Sequence, residues 1–89
     1  MIKTVAIEIT GKVQGVFFRK FTQQTGRRLN LCGFVRNRSD GSVYVEATGS
    51  ELQLNELVAW CHKGSPMSLV RQVVVREISV IHNEPFQIL

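Results

Sequence analysis

Three residues of the first twenty suggest chemistry. Gly11 and Gly15 punctuate a short segment, and Arg19 follows it at the start of a run with helical spacing. The first N–H groups of a helix lack internal acceptors, and the helix dipole puts partial positive charge there. A loop that curls its own N–H groups toward that point forms an anion nest. Arg19 adds a planar, permanently charged fork that matches phosphate oxygens. No Asp or Glu lies between Glu8 and Asp40 to oppose an anion. Gly11–Arg19 thus reads as a cradle for about one phosphate group. Local features leave a second reading open, in which the glycines turn the chain and Arg19 is a solvated helix residue. Neither the Walker pattern nor the dinucleotide pattern G-x-G-x-x-G is present.

The elements around this segment follow from periodicity. Val5, Ile7 and Ile9 alternate with polar or small residues, predicting a strand that Gly11 ends. Phe18, Phe21, Thr22, Thr25 and Leu29 form the stripe of an amphipathic helix, with Lys20, Gln23, Gln24, Arg27 and Arg28 on its other side. Gly26 costs such a helix about 1 kcal/mol relative to Ala, and a close approach to the sheet would offset it. Asn30 suits a left-handed helix end. Phe34–Asn37 and Val43–Ala47 flank Asp40-Gly41, a hairpin signal, with Val43, Val45 and Ala47 inward and Tyr44, Glu46 and Thr48 outward. Gly49 is read as a strand breaker. Ser50 with Gln53 is a capping box that opens a second helix, whose inner face is Leu54, Leu57, Val58 and Cys61. Gly64 and Pro66 stop it. Leu69–Ile81 is a Val- and Ile-rich strand whose alternation slips near Arg76-Glu77, and Pro85–Ile88 can add a short edge strand. The order β-α-β-β-α-β defines an α+β fold, the ferredoxin-like split βαβ sandwich, with two helices on one face of an antiparallel sheet.

Composition bounds what such a fold can do. The chain has 89 residues and a net charge of +4, with a pI near 9.6. A domain of this size buries only about 60–65% of its unfolded surface and has one core. Residues 1–89 are therefore read as one domain, and a two-domain enzyme closing on a large cofactor is excluded. The charge favours anionic partners without choosing among them. Cys32 and Cys61 are too few and too far apart for a zinc site, and are read as reduced thiols. Met1–Thr10 has no apolar run of leader type, and no stretch reaches the ~20 apolar residues of a membrane span. The expectation is a cytoplasmic protein.

Two motifs carry a resemblance. Gly11-Lys12-Val13-Gln14-Gly15-Val16-Phe17-Phe18-Arg19 is similar to the first signature of the acylphosphatases, G-x-V-Q-G-V-x-F-R. Gly33-Phe34-Val35-Arg36-Asn37, Asp40-Gly41, Val43 and Gly49 are similar to the second. The spacing between them fits, and the resemblance covers essentially the whole chain. It implies that Arg19 and the backbone amides of Gln14, Gly15, Val16, Phe17, Phe18 and Arg19 hold the phosphate of an acyl phosphate. It implies that Asn37 positions the attacking water. The implied products are a carboxylate and inorganic phosphate, formed by a monomer with no metal and no cofactor. A carboxylate whose acid has a pKa of about 4 leaves without protonation, so no general acid is needed. The missing His/Asp/Cys cluster is then expected. Gly26 stands where the family usually has Ala, Asn30 where it has Gly, and Phe17 is bulkier than usual in the loop.

The remaining candidates are assigned structural roles. His62 and His82 have no partner in sequence range and are read as surface or cap residues. Arg36 and Arg38 alternate with Asn37 and should face the other way. Trp60 is read as packing. The rival class is an RNA-binding ferredoxin-like sheet, or an anion-binding module without turnover. RNA binding needs aromatics in register on the central strands, and only Phe34 and Tyr44 are available.

Overall fold

Alternating Val and Ile on the strands and two amphipathic stripes leave one arrangement that buries both. The computed structural model describes Met1–Leu89. The elements are β1 (Ile2–Lys12), α1 (Phe18–Arg28), β2 (Cys32–Asn37), β3 (Val43–Ser50), α2 (Glu51–Lys63), β4 (Leu69–Ile78) and β5 (Gln87–Ile88). The sheet order is β4-β1-β3-β2-β5. The first four strands pair antiparallel, as the α+β ferredoxin-like reading requires. β5 pairs parallel with β2, so the sheet is mixed at that edge.

Register places the core. Val5 lies opposite Ala47, Ile7 opposite Val45 and Ile9 opposite Val43, with Val35 beyond Val45. All of these side chains enter one cluster with Phe18 and Leu29 from the α1 segment and Leu54, Leu57 and Cys61 from α2. Both helices therefore cover the same sheet face. Phe21, expected on the α1 stripe, lies at its margin and is 37% exposed. Asn30 takes the left-handed conformation expected of it, with φ 58°. Ser50 caps α2: its Oγ accepts from Gln53 N at 3.2 Å, and Gln53 Oε1 accepts from Ser50 N at 3.0 Å.

Several boundaries differ from the sequence reading. Gly11 does not end β1. It sits at a register shift after Thr10, with φ 125°, and pairing continues to Lys12. The slip expected at Arg76-Glu77 is absent, because Thr4↔Ile78 through Thr10↔Gln72 pair without interruption. β4 ends at Ile78 rather than Ile81. Gly49 lies inside β3, opposite Lys3. Its role is clearance, since a Cβ there would come within 2.3 Å of Leu31 Cδ2.

The open face of the sheet is covered as well. Tyr44 and Thr48 point away from the helices as expected, yet both are buried. The chain returning after β4 lies over them. His82 N donates to Thr48 Oγ1 at 3.0 Å, and the His82 ring meets Phe34 edge-on. The His82 Nε2 is 2.7 Å from Glu46 Oε1, and the Tyr44 hydroxyl donates to Glu46 Oε2 at 2.6 Å. His82 thus has a partner that sequence distance concealed. Burial favours a raised pKa for the Glu46 carboxyl, but the hydrogen bonds from Tyr44 and His82 and the nearby charges outweigh it and hold the carboxyl below its ordinary value. Both thiols are free. Cys61 is buried, and desolvation pushes its pKa up to about 12.

The same return segment seats Phe86, which is fully buried beneath α1. A Cβ on Gly26 would lie 2.6 Å from the Phe86 ring, so the close approach that justifies this glycine is to an aromatic side chain. Arg27 Nε also donates to Phe86 O at 2.7 Å.

Two measurements check this account. Gly26→Ala gains helix propensity but overpacks Phe86, so urea denaturation should show a net loss of about 1–2 kcal/mol. An increase in stability would contradict the packing. Glu46, whose folded pKa is lowered, contributes stability above its ordinary value of 4.5 that is lost as pH falls through the folded value. Glu46→Gln should flatten the decline of stability over that acidic range. An unchanged slope would remove Glu46 from the linkage.

Candidate active site

The segment between β1 and α1 contributes backbone rather than side chains. The N–H groups from Gln14 to Lys20 donate to no protein acceptor. The last three belong to the first turn of α1, where such vacancies are intrinsic. The first four lie in the loop, where buried amides ordinarily find partners. Seven consecutive free donors at the positive end of a helix make a concentrated anion site. The loop reaches this shape through two left-handed residues, Gly15 at φ 74° and Phe17 at φ 62°. Glycine adopts that conformation freely, whereas for Phe it costs about 1–2 kcal/mol. Phe17 is nonetheless the N-cap of α1, and its side chain is 71% exposed.

A cleft of about 320 Å³ opens beside this loop. Gly15, Phe17, Phe18, Arg19 and Asn37 of the expected site line it, together with Val13, Lys20 and Ile88. Gln14 and Val16 do not. The Val16 side chain packs in the core, and the Gln14 amide turns to the β2–β3 hairpin. Arg19 makes no hydrogen bond or ion pair within the chain, so its guanidinium is free for a ligand.

Asn37, the last residue of β2, brings the second motif to the same cleft. Its Oδ1 is buried and has no hydrogen-bond partner. A buried acceptor left empty costs about 1–3 kcal/mol, and a donor supplied from outside removes that cost. A water molecule or a ligand hydroxyl is such a donor. Arg36 and Arg38 point to the other face, as alternation predicts. Arg38 lies over the Tyr44 ring at 4.1 Å, and Arg36 sits over Tyr44 and Phe34. Asp40 closes the hairpin by accepting from Ser42 N and Ser42 Oγ. These hydrogen bonds lower its pKa.

A run of unpaired amides beside a cleft lined by a free guanidinium and by Asn37 matches a phosphate-handling family. The acylphosphatase family model matches residues 5–88. The chain belongs to the acylphosphatase family. It is 44% identical over 80 residues to an acylphosphatase of Synechococcus sp. (strain CC9311), covering 90% of this chain and 89% of that one. It is 42% identical to acylphosphatase-1 of Gallus gallus, covering 98% and 92%. The solved acylphosphatase structure from Bacillus subtilis superposes with a TM-score of 0.94 at 38% identity, covering 100% of this chain and 99% of that one. The protein is accordingly an acylphosphatase, a hydrolase acting on acyl phosphates.

Three cleft residues, Val13, Lys20 and Ile88, lie outside the expected set, Val13 within the first motif itself. Lys20 was assigned to the solvent side of α1, but a helix's first turn presents residues all round to whatever lies at its end. Ile88 reaches the cleft only because β5 pairs beside β2, which no local pattern signals.

The backbone of Phe17 makes a testable demand. Phe17→Gly should preserve inorganic-phosphate binding, because glycine takes this conformation freely. Phe17→Val should weaken binding and lower stability by about 1 kcal/mol or more, because a β-branched residue resists it. Equal behaviour of the two variants in calorimetric titration would show that the left-handed turn is dispensable.

Proposed function

We propose that this acylphosphatase hydrolyses its substrate without a metal, using Arg19 and Asn37 on a phosphate held by the loop amides. The observation that carries this reading is the meeting in one cleft of Arg19, Asn37 and the loop of unpaired amides, with the Asn37 Oδ1 left without a partner inside the protein. The backbone N–H groups of Gln14, Gly15, Val16, Phe17, Phe18 and Arg19 bind the phosphoryl oxygens, and the Arg19 guanidinium neutralises their charge. Phosphoryl transfer spreads charge over those oxygens in the transition state, so donors aimed there lower the barrier. Asn37 Oδ1 accepts a hydrogen bond from water and orients its lone pair toward phosphorus. The P–O bond to the carboxylate breaks as the water–phosphorus bond forms. The carboxylate leaves as an anion, with no proton required. Asn37 is neutral and orients the water without taking its proton, which passes to solvent as the new O–P bond forms. Inorganic phosphate remains in the cradle as product.

A monomer suffices for this chemistry, since the loop and Asn37 come from one chain. Free thiols at Cys32 and Cys61 suit a reducing, cytoplasmic setting. No helix is long and apolar enough to cross a membrane. Nucleic acid is a poor partner for the sheet, since Phe34 and Tyr44 are already stacked by His82, Arg36 and Arg38.

The test is turnover of acetyl phosphate with chelator present. Activity should persist. Arg19→Ala should lower kcat/KM by at least about 100-fold and weaken inhibition by phosphate. Asn37→Ala should lower kcat by about 100-fold while phosphate still competes. Full activity in Asn37→Ala would overturn the mechanism, and a requirement for added Mg²⁺ would point to different chemistry.

A further inference from the structure

A loop whose amides donate to nothing within the protein has few hydrogen bonds with which to hold itself. Two side chains tie the β1–α1 loop to its surroundings, one reaching it from the turn after α2 and the other leaving it from Gln14. Ser65, in the turn after α2, donates from Oγ to Val16 O at 2.8 Å. It is 3% exposed and lies 49 positions from its partner. Its own turn is tied down, because Ser68 N and Ser68 Oγ both donate to Ser65 O. That turn packs under the start of α1, where a Cβ on Gly64 would approach the Phe18 ring at 3.3 Å. On the other side, Gln14 Nε2 donates to Arg38 O at 2.8 Å and to Ser42 O at 2.9 Å. Those carbonyls close the hairpin that begins immediately after Asn37.

We infer that Ser65 and the Gln14 side chain are positioning residues, with Ser65 fixing the amide that binds phosphate and Gln14 fixing the distance from phosphate to the Asn37-held water. This rests on the acyl phosphate reading above and adds the residues that set its geometry. Peptide planarity links the Ser65 hydroxyl to the next amide. The Val16–Phe17 peptide is trans, so its C=O and N–H point in opposite directions. Ser65 draws the Val16 carbonyl toward the buried side. The Phe17 N–H of the same peptide is thereby turned outward, to the cleft that Phe17 lines. Loss of the Ser65 hydroxyl leaves a buried carbonyl without its donor and frees the peptide to rotate, which removes a phosphate contact.

The Gln14 argument follows from donor count. One neutral nitrogen with two N–H bonds satisfies both hairpin carbonyls at once. Met has the length and no donor, Asn is one methylene short, and Glu has no donor while ionised. The β1–α1 loop carries the phosphate and β2 carries Asn37, and the Gln14 amide bonds the two directly. Its backbone N–H stays in the cradle whatever the side chain. Small displacements between reacting groups reduce rate far more than they reduce ground-state binding.

The two positions should therefore separate in kinetics. Acetyl phosphate turnover and calorimetric titration with inorganic phosphate would be measured on the full chain, with folding followed by circular dichroism. Ser65→Ala should raise KM and the phosphate dissociation constant together by about tenfold, with kcat within about threefold. Ser65→Thr should restore both, and Ser65→Cys, nearly isosteric and a weaker donor, should fall between and covers the case that the alanine variant does not fold. Gln14→Met should lower kcat by about 30-fold with phosphate affinity within about threefold. Gln14→Glu should be equally impaired at neutral pH and regain activity on acidification, as the protonated carboxyl supplies one O–H donor. Failure of the unaltered protein to hydrolyse acetyl phosphate would sink the parent reading, while phosphate titration of the Ser65 series would still decide the Ser65 clamp. Folded Ser65→Ala or Ser65→Cys that binds phosphate like the unaltered protein, or a Gln14→Met that loses kcat and phosphate affinity in equal measure, would overturn the inference.

Discussion

The structure is organised around a stretch of backbone whose N–H groups find no acceptor inside the protein. From Gln14 to Lys20 the amides are kept without acceptors, against the usual tendency of backbone donors to pair. Such a stretch keeps its shape only if the elements on both sides hold its ends. The rest of the fold can be understood as the frame that meets this demand. β1 enters the loop from the middle of the sheet, paired on both edges, and α1 leaves it across the core. Phe17 is held left-handed at the junction, a cost that a free chain would relieve by rearranging.

The second constraint is the meeting of two distant segments. Asn37 belongs to β2, which is separated from β1 in the sheet by β3. It reaches the cleft because the β2–β3 hairpin returns to the mouth of the β1–α1 loop, where Gln14 binds its carbonyls. The chemistry requires little more than this juxtaposition. A substrate with a good leaving group needs positioning and charge compensation, and a small core suffices to supply both.

The C-terminal return does more than close an edge. It buries Phe86 under Gly26, presses His82 onto Glu46 and Phe34, and delivers Ile88 to the cleft. The aromatic and arginine stack on the open sheet face, which in a bare sheet would be a surface for bases, is consumed in this packing. One short segment thus covers part of the face opposite the helices and trims the site on the helix side.

The sequence by itself determined the elements and the two motifs. Periods of two and 3.6 are local properties, and so are the capping box at Ser50 and Gln53 and the glycine-punctuated loop before Arg19. The alternation of Arg36 and Arg38 with Asn37 was legible for the same reason. What only the tertiary structure decided is whatever depends on proximity across the chain. The partner of His82, the ring that excludes a side chain at Gly26, the place of Ile88 and the Ser65 bond to Val16 join residues between 36 and 60 positions apart or lie on strands whose pairing no local pattern encodes. The strand boundaries at Gly11 and Gly49 belong with these. Glycine breaks a strand when nothing lies beside it, and marks a close approach when Leu69 or Leu31 does. Sequence alone does not distinguish the two cases, because the difference is made by the neighbour.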